Sequence, residues 1–234
     1  MRRSVFFRFL AASLIVLLIS IIGNAQAFAA SPFGTSGTTQ AGASIFVSKQ
    51  AAVMVSIFNP DQLQSQEKSE LSKLKTNLLA NSGIDYRKDV QPWLGDEITL
   101  AVTSLDFDRD AENGQQPGYI MALATKAPEK SREFVQLLFS KRVLAGADLN
   151  VEEYAGIKVI YDNSQPEKGM LCGAVVGNQY VLFANDPKVL REAINNVQAP
   201  DLNLTTSSVY QEAAKQVSIG SLGNGRKIEE YYTQ

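Results

Sequence analysis

Three carboxylates stand at alternate positions in Asp106-Phe107-Asp108-Arg109-Asp110, with Glu112, Asn113 and Gly114 close behind. Side chains spaced in this way on a loop can converge on a hard cation, and calcium takes roughly six to eight oxygen ligands. The likeness to a calcium-binding loop covers only its first half. Ala111 stands where the turn glycine belongs, Pro117 where the bidentate glutamate belongs, and Arg109 offsets part of the charge. Asp106, Asp108 and Asp110 are therefore the metal candidates. The plainer reading is a long polar hairpin loop that turns at Asn113-Gly114.

Other chemistry-bearing positions have structural readings that explain them better. In Trp93-Leu94-Gly95-Asp96-Glu97 the two acids are adjacent, so a strand points them to opposite faces and they make a poor acid–base pair. Trp93, the only tryptophan, is expected to anchor the core rather than stack on a ligand, with Gly95 permitting a turn. Asn185-Asp186-Pro187 could offer an anion a helix N-terminus. Asp186 would repel one, and helix capping explains all three residues. Cys172, the only cysteine, lies in the apolar run from Met170 to Val176. It is expected to be a buried, inert thiol. The glycines at 173 and 177, and at 220, 223 and 225, are not followed by the Lys-Ser/Thr of a phosphate loop.

The chain contains no histidine. Ser-His-Asp and Cys-His catalysis are thereby excluded, as are zinc sites that depend on histidine. Carboxylate or lysine chemistry stays open. No catalytic residue and no cofactor are assigned, and the balance leans away from an enzyme.

The chain of 234 residues opens with Met1-Arg2-Arg3 and Arg8, then runs apolar or small from Phe9 to Ile22, and no further charge appears before Lys49. A basic start, a short apolar core and small residues such as Ala27-Phe28-Ala29 make a secretory signal over residues 1–29. The apolar core, about 14 residues, is shorter than the roughly 20 that a spanning helix needs. An uncleaved segment holding the protein at a membrane is the rival reading. Removing residues 1–29 takes away three arginines and no acid, which turns a net charge of −2 into −5. That balance argues against a nucleic-acid partner, whose binding rests on cationic contacts to phosphate.

Residues 30–44 are rich in Gly, Ser and Thr and read as a flexible linker. An α+β domain is expected over 45–200. Its strands are read at 51–58, 97–102, 119–124, 151–161 and 171–184, the last with a hairpin or bulge at Gly177-Asn178. Helices are read after Pro60, Pro128 and Pro187. Leu63, Leu71, Leu74 and Leu78 would face inward in the first. Phe134, Leu137, Leu138 and Leu144 would do so in the second, which Gly146 ends, and Leu190, Ile194 and Val197 in the third. The order is β-α-β-β-α-β-β-α, which suits a mostly antiparallel sheet with three helices on one face and is compatible with a ferredoxin-like topology. No strand is expected in 201–234, which reads as a poorly ordered or truncated tail.

Four stretches carry a family resemblance. They are Phe46-Val47-Ser48-Lys49-Gln50-Ala51, Pro92-Trp93-Leu94-Gly95-Asp96-Glu97, Asn113-Gly114-Gln115-Gln116-Pro117-Gly118-Tyr119, and Leu182-Phe183-Ala184-Asn185-Asp186-Pro187-Lys188-Val189-Leu190. Together, over residues 44–206, the chain resembles a cyanobacterial family of exported proteins labelled domain of unknown function 3352. The resemblance implies a periplasmic or thylakoid-lumen address and brings no catalytic residues. The resulting expectation is an exported, non-enzymatic binding or assembly module with a protein or membrane-surface partner. A carboxylate-based small-ligand or calcium-binding protein or enzyme is the alternative. Sequence does not fix the oligomeric state.

Overall fold

Nearly continuous apolar runs cannot leave either face of a strand in water, so a sheet built from them needs cover on both sides. That requirement organises this chain. A computed structural model describes residues 42–58, 83–104, 117–164, 170–212 and 228–232. Within them lie strands β1 (Val53–Phe58), β2 (Leu94–Ser104), β3 (Gly118–Thr125), β4 (Leu149–Tyr154), β5 (Ile157–Asp162), β6 (Cys172–Val176), β7 (Tyr180–Ala184) and β8 (Ile228–Tyr232). Two long helices join them, α1 (Pro128–Leu144) and α2 (Pro187–Gln198).

The strands form one sheet in the order β4-β5-β6-β7-β3-β2-β1-β8. Every neighbouring pair is antiparallel. The α+β class and the mostly antiparallel sheet are therefore as expected. The sheet consists of two antiparallel ribbons, β4-β5-β6-β7 and β3-β2-β1-β8, that meet where β3 pairs with β7.

The helices do not share a face, contrary to the sequence expectation. Phe134, Val135 and Phe139 of α1 pack with Val55, Ile57, Ile98, Leu100, Leu123, Val181 and Phe183 on one side. Val189, Leu190, Ala193 and Ile194 of α2 pack with Met54, Ala101, Ile120, Ala122, Val159, Cys172 and Leu182 on the other. Alternate residues of the same strand thus serve two separate cores, as a period of two dictates. The helix expected after Pro60, with its leucine stripe, lies outside the described residues, as does the whole targeting segment.

Three further expectations need correction. The region 151–161 is not one strand but the hairpin β4–β5, turning at Ala155 and Gly156, both with positive φ. The region 171–184 is the expected hairpin, with Gly177 and Asn178 at positive φ in its turn. The tail does supply a strand: β8 pairs along β1 from Ile57↔Ile228 to Val53↔Tyr232. Finally, α1 begins at Pro128 and ends before Gly146 as its sequence suggests, but Leu137 and Leu144 face outward. The buried stripe is Phe134, Val135 and Phe139, with Ser131 beside it.

The end of α1 is tied to the sheet by charge. Arg142 Nε donates to Asp162 Oδ2 at 2.9 Å, and Nη2 donates to the same oxygen. Ser164 N donates to Asp162 Oδ1 at 3.0 Å, with the Ser164 hydroxyl on the same atom. Burial pushes the Asp162 pKa up, but the Ser164 bonds and the Arg142 guanidinium outweigh it and hold the carboxyl below its usual value. A carboxylate with a depressed folded pKa stabilises the fold above the unfolded value of about 3.9, and the contribution is lost as pH falls through the folded pKa. Urea unfolding from about pH 6 down to about pH 3 should show this loss in the wild type. Asp162→Asn should be less stable near neutrality and lose less on acidification. Equal acid slopes for the two proteins would refute the assignment.

Candidate functional site

Three surface or buried features gather polar or apolar groups in ways the fold alone does not require. The first is internal. On β2 the residues Glu97, Thr99 and Ala101 face the α2 side, and Ser56 of β1 stands opposite Thr99. The Glu97 carboxylate is buried and accepts from the Ala43 amide at 2.9 and 3.0 Å, and from the Thr99 hydroxyl at 3.0 Å. Ser56 and Thr99 hydroxyls are 2.5 Å apart. The Tyr180 hydroxyl donates to Glu97 Oε2 at 3.4 Å, and its ring meets Phe46 edge-on at 5.0 Å. Burial first, then the Glu97 charge, raises the Tyr180 pKa. A phenol held protonated beside a carboxylate is a hydrogen-bond donor and not a base. The cluster therefore works as a clamp, fixing the short helical turn Ala43–Phe46 to the sheet.

The second feature is a shallow groove of about 350 Å³ on the outer side of α2. Lys188, Arg191, Glu192 and Asn195 line one wall, and the Ser48-Lys49-Gln50 turn and Leu202 line the other. The helical positions share one stripe because residues three and four apart are neighbours on a helix. The opposite stripe, Leu190 and Ile194, is buried in the core. The far wall is held by Leu204 N donating to Val47 O at 2.8 Å and by the Ser48↔Asn203 bridge. Arg191 is anchored from behind: Nε and Nη2 donate to the two Glu152 oxygens, each at 2.7 Å. The bond to Arg191 lowers the Glu152 pKa.

The third feature is apolar and exposed. Leu144 is 88% exposed, Val151 58% and Val143 48%. The Arg142–Asp162 pair sets the last turn of α1 beside the start of β4, since Asp162 is the register partner of Leu149. Val151 opposes Ile160, which belongs to the α1-side core. It therefore points to the face α1 covers, yet α1 packs mainly over β5 and β6, and of β4 Leu149 packs against that core while Val151 stays exposed.

The sequence candidates fall as follows. Asp106, Asp108, Asp110 and the Asn113-Gly114 turn lie outside the described residues. Trp93 is 1% exposed, its indole N–H donates to Asp89 O at 2.8 Å, and its ring lies 5.0 Å from that of Phe134. It is a core anchor. Asp96 is exposed while Glu97 is buried, so the adjacent acids do point apart. Gly95 serves a close approach: a Cβ there would stand 3.1 Å from the Ala124 backbone. Cys172 is fully buried, and burial raises its thiol pKa far above the usual range, which suits an inert thiol. Asp186 caps α2 by accepting from Lys188 N at 2.6 Å. Asn185 instead ties β3, accepting from Tyr119 N at 2.7 Å and donating to Pro117 O at 3.0 Å. No group of His, Cys, Asp and Glu among the described residues is arranged to hold a metal. No helix among them is long and apolar enough to cross a membrane.

The groove and the clamp were missed because each joins segments far apart in sequence. Only the charged stripe Lys188, Arg191, Glu192 beside the buried stripe of α2 hinted at a solvent-facing wall. Neither a curated protein nor a solved structure matches the chain. A family model described as "Protein of unknown function (DUF3352)" matches residues 9–223.

Proposed function

This chain belongs to the DUF3352 family, and we propose that it works as a non-enzymatic binding or assembly module with a protein partner. The observation that carries the reading is the bare apolar step formed by Val143, Leu144 and Val151. Scattered surface leucines need no explanation, but apolar side chains gathered at an edge strand mark a docking surface. Burying a side chain of this size stabilises a complex by roughly 1.5–3 kcal/mol before the costs of association. Among the described residues β4 is the last strand on that side, so a partner that covers the step could also pair with its outer backbone. The basic and apolar leader supports delivery to the periplasm or thylakoid lumen of a cyanobacterium, where the partner would be met.

The test is affinity capture with the full chain as bait, beside Leu144→Asp and Val151→Asp. Both sites are exposed, so the variants should melt with the wild type. Proteins retained by the wild type should be lost from both variants. Equal retention by all three baits would move the docking surface elsewhere.

A further inference from the structure

We infer that the groove between α2 and the Ser48-Lys49-Gln50 turn is a binding site for a phosphate group, carried by a small ligand or by a lipid headgroup. This goes beyond the partner surface at β4 and rests on a different part of the molecule.

The groove is cationic in a protein whose net charge is −2. Lys49, Lys188 and Arg191 line it beside the carboxylate of Glu192, and Glu152 pairs with Arg191 from behind, which leaves positive charge in excess by one. Two of the cations are held in place. Lys49 Nζ donates to Asp201 O at 2.9 Å, and its backbone N donates to Leu202 O at 3.0 Å. A backbone carbonyl fixes the ammonium without cancelling its charge, and two of its three protons remain for an anion. Arg191 is fixed by Glu152 through Nε and Nη2, with the Tyr154 ring 5.9 Å from its guanidinium carbon. Its Nη1 stands outside that pair. Asn195 accepts the Tyr154 hydroxyl at 3.0 Å through Oδ1. Its acceptor is thereby used, and the amide NH₂ is the end left to donate. Lys188 extends the same helical stripe by one turn. Donors of this kind, held before the ligand arrives, recognise a phosphate by charge-assisted hydrogen bonds. The volume of about 350 Å³ suits a phosphate and little more than the group that carries it. Leu202, 45% exposed at the rim, gives the groove an apolar lip on which a glycerol or acyl portion could rest.

The experiment uses the full chain with two probes. Inorganic phosphate is titrated by calorimetry at low salt. Vesicles of phosphatidylcholine, with and without added phosphatidylglycerol, are tested by co-sedimentation, because anionic headgroups attract basic surface groups. Lys49→Gln with Lys188→Gln removes two cations from the exposed walls and keeps a polar side chain at each position. Loss of two charge-assisted bonds should weaken binding roughly tenfold or more. Binding of free phosphate that the double variant loses supports a soluble ligand. Binding of anionic vesicles alone, lost in the same variant, supports a headgroup. No binding of either probe, or binding that the variant retains, overturns the inference. Leu144→Asp should bind both probes as the wild type does, which separates a failure here from a failure of the partner surface.

Discussion

Trp93→Ala should lower stability by about 4 kcal/mol, the usual range for emptying a large aromatic site in a core. For a chain of this size that is a fall of roughly 10 °C in melting temperature. The expectation rests on position as well as volume. Trp93 lies just before β2, with its ring against Phe134 of α1 and its N–H on Asp89 O. Its own carbonyl accepts from Lys126 N at 2.9 Å and from the Thr125 hydroxyl at 3.1 Å. One residue thus joins the turn Tyr86–Val90, the end of β3 and the start of α1. Trp93→Phe should lose less, because it keeps most of the packing and gives up the Asp89 bond. Thermal melts followed by circular dichroism give both values. A loss below about 1 kcal/mol for the alanine variant would show that this side of the core closes over the gap.

Glu97→Ala should be the second most damaging change, at about 3 kcal/mol. A buried carboxylate that serves several donors costs more to delete than any one of its bonds is worth, since every donor loses its acceptor. Those donors are the Ala43 amide, the Thr99 hydroxyl and the Tyr180 hydroxyl. Glu97→Gln keeps one carbonyl oxygen in place and should fall between. Hydrogen exchange is the more pointed measurement. The Ala43 amide should exchange far faster in Glu97→Ala while amides in α1 change little. Unaltered protection at Ala43 would mean that the turn Ala43–Phe46 is held by its buried Phe46 and Val47 alone.

How much of this was legible depended on whether a signal was local. The apolar runs of β1, β2 and β3 are local, and they place those strands to within a few residues. The Pro-led starts of α1 and α2 are local too. The hairpin β4–β5 was hidden because Gly156 alone marks its turn, while Ala155 also takes a positive φ, which its side chain does not advertise as Asn or Gly would. The inward face of α1 was misread because the helix carries apolar residues on two stripes. Phe134, Val135 and Phe139 compete with Leu137 and Leu144, and only the sheet decides between them. That misreading concealed the candidate docking surface, since the leucine assigned to the core is the most exposed of the large apolar residues described. The placement of the two helices on opposite faces was implicit in the strands: runs without alternation need two covers. The groove had no such signal. Lys49 is far in sequence from Arg191 and Leu202, and only the folded chain brings the three to one groove.

Glu97 also bears on how the chain can be processed. Its carboxylate fills the space where a side chain at position 42 would stand, since a Cβ on Gly42 would come within 2.8 Å of both oxygens. The bond it makes is to an amide, so it needs a peptide unit upstream of Ala43. A cut after Ala29, where the leader is expected to end, leaves that unit whole. A cut between Gly42 and Ala43 turns the amide into an ammonium and the hydrogen bond into an ion pair at a buried site. Removal of a leader at Ala29 and integrity of the domain would therefore be separated by a boundary that a single acidic side chain sets from within the sheet.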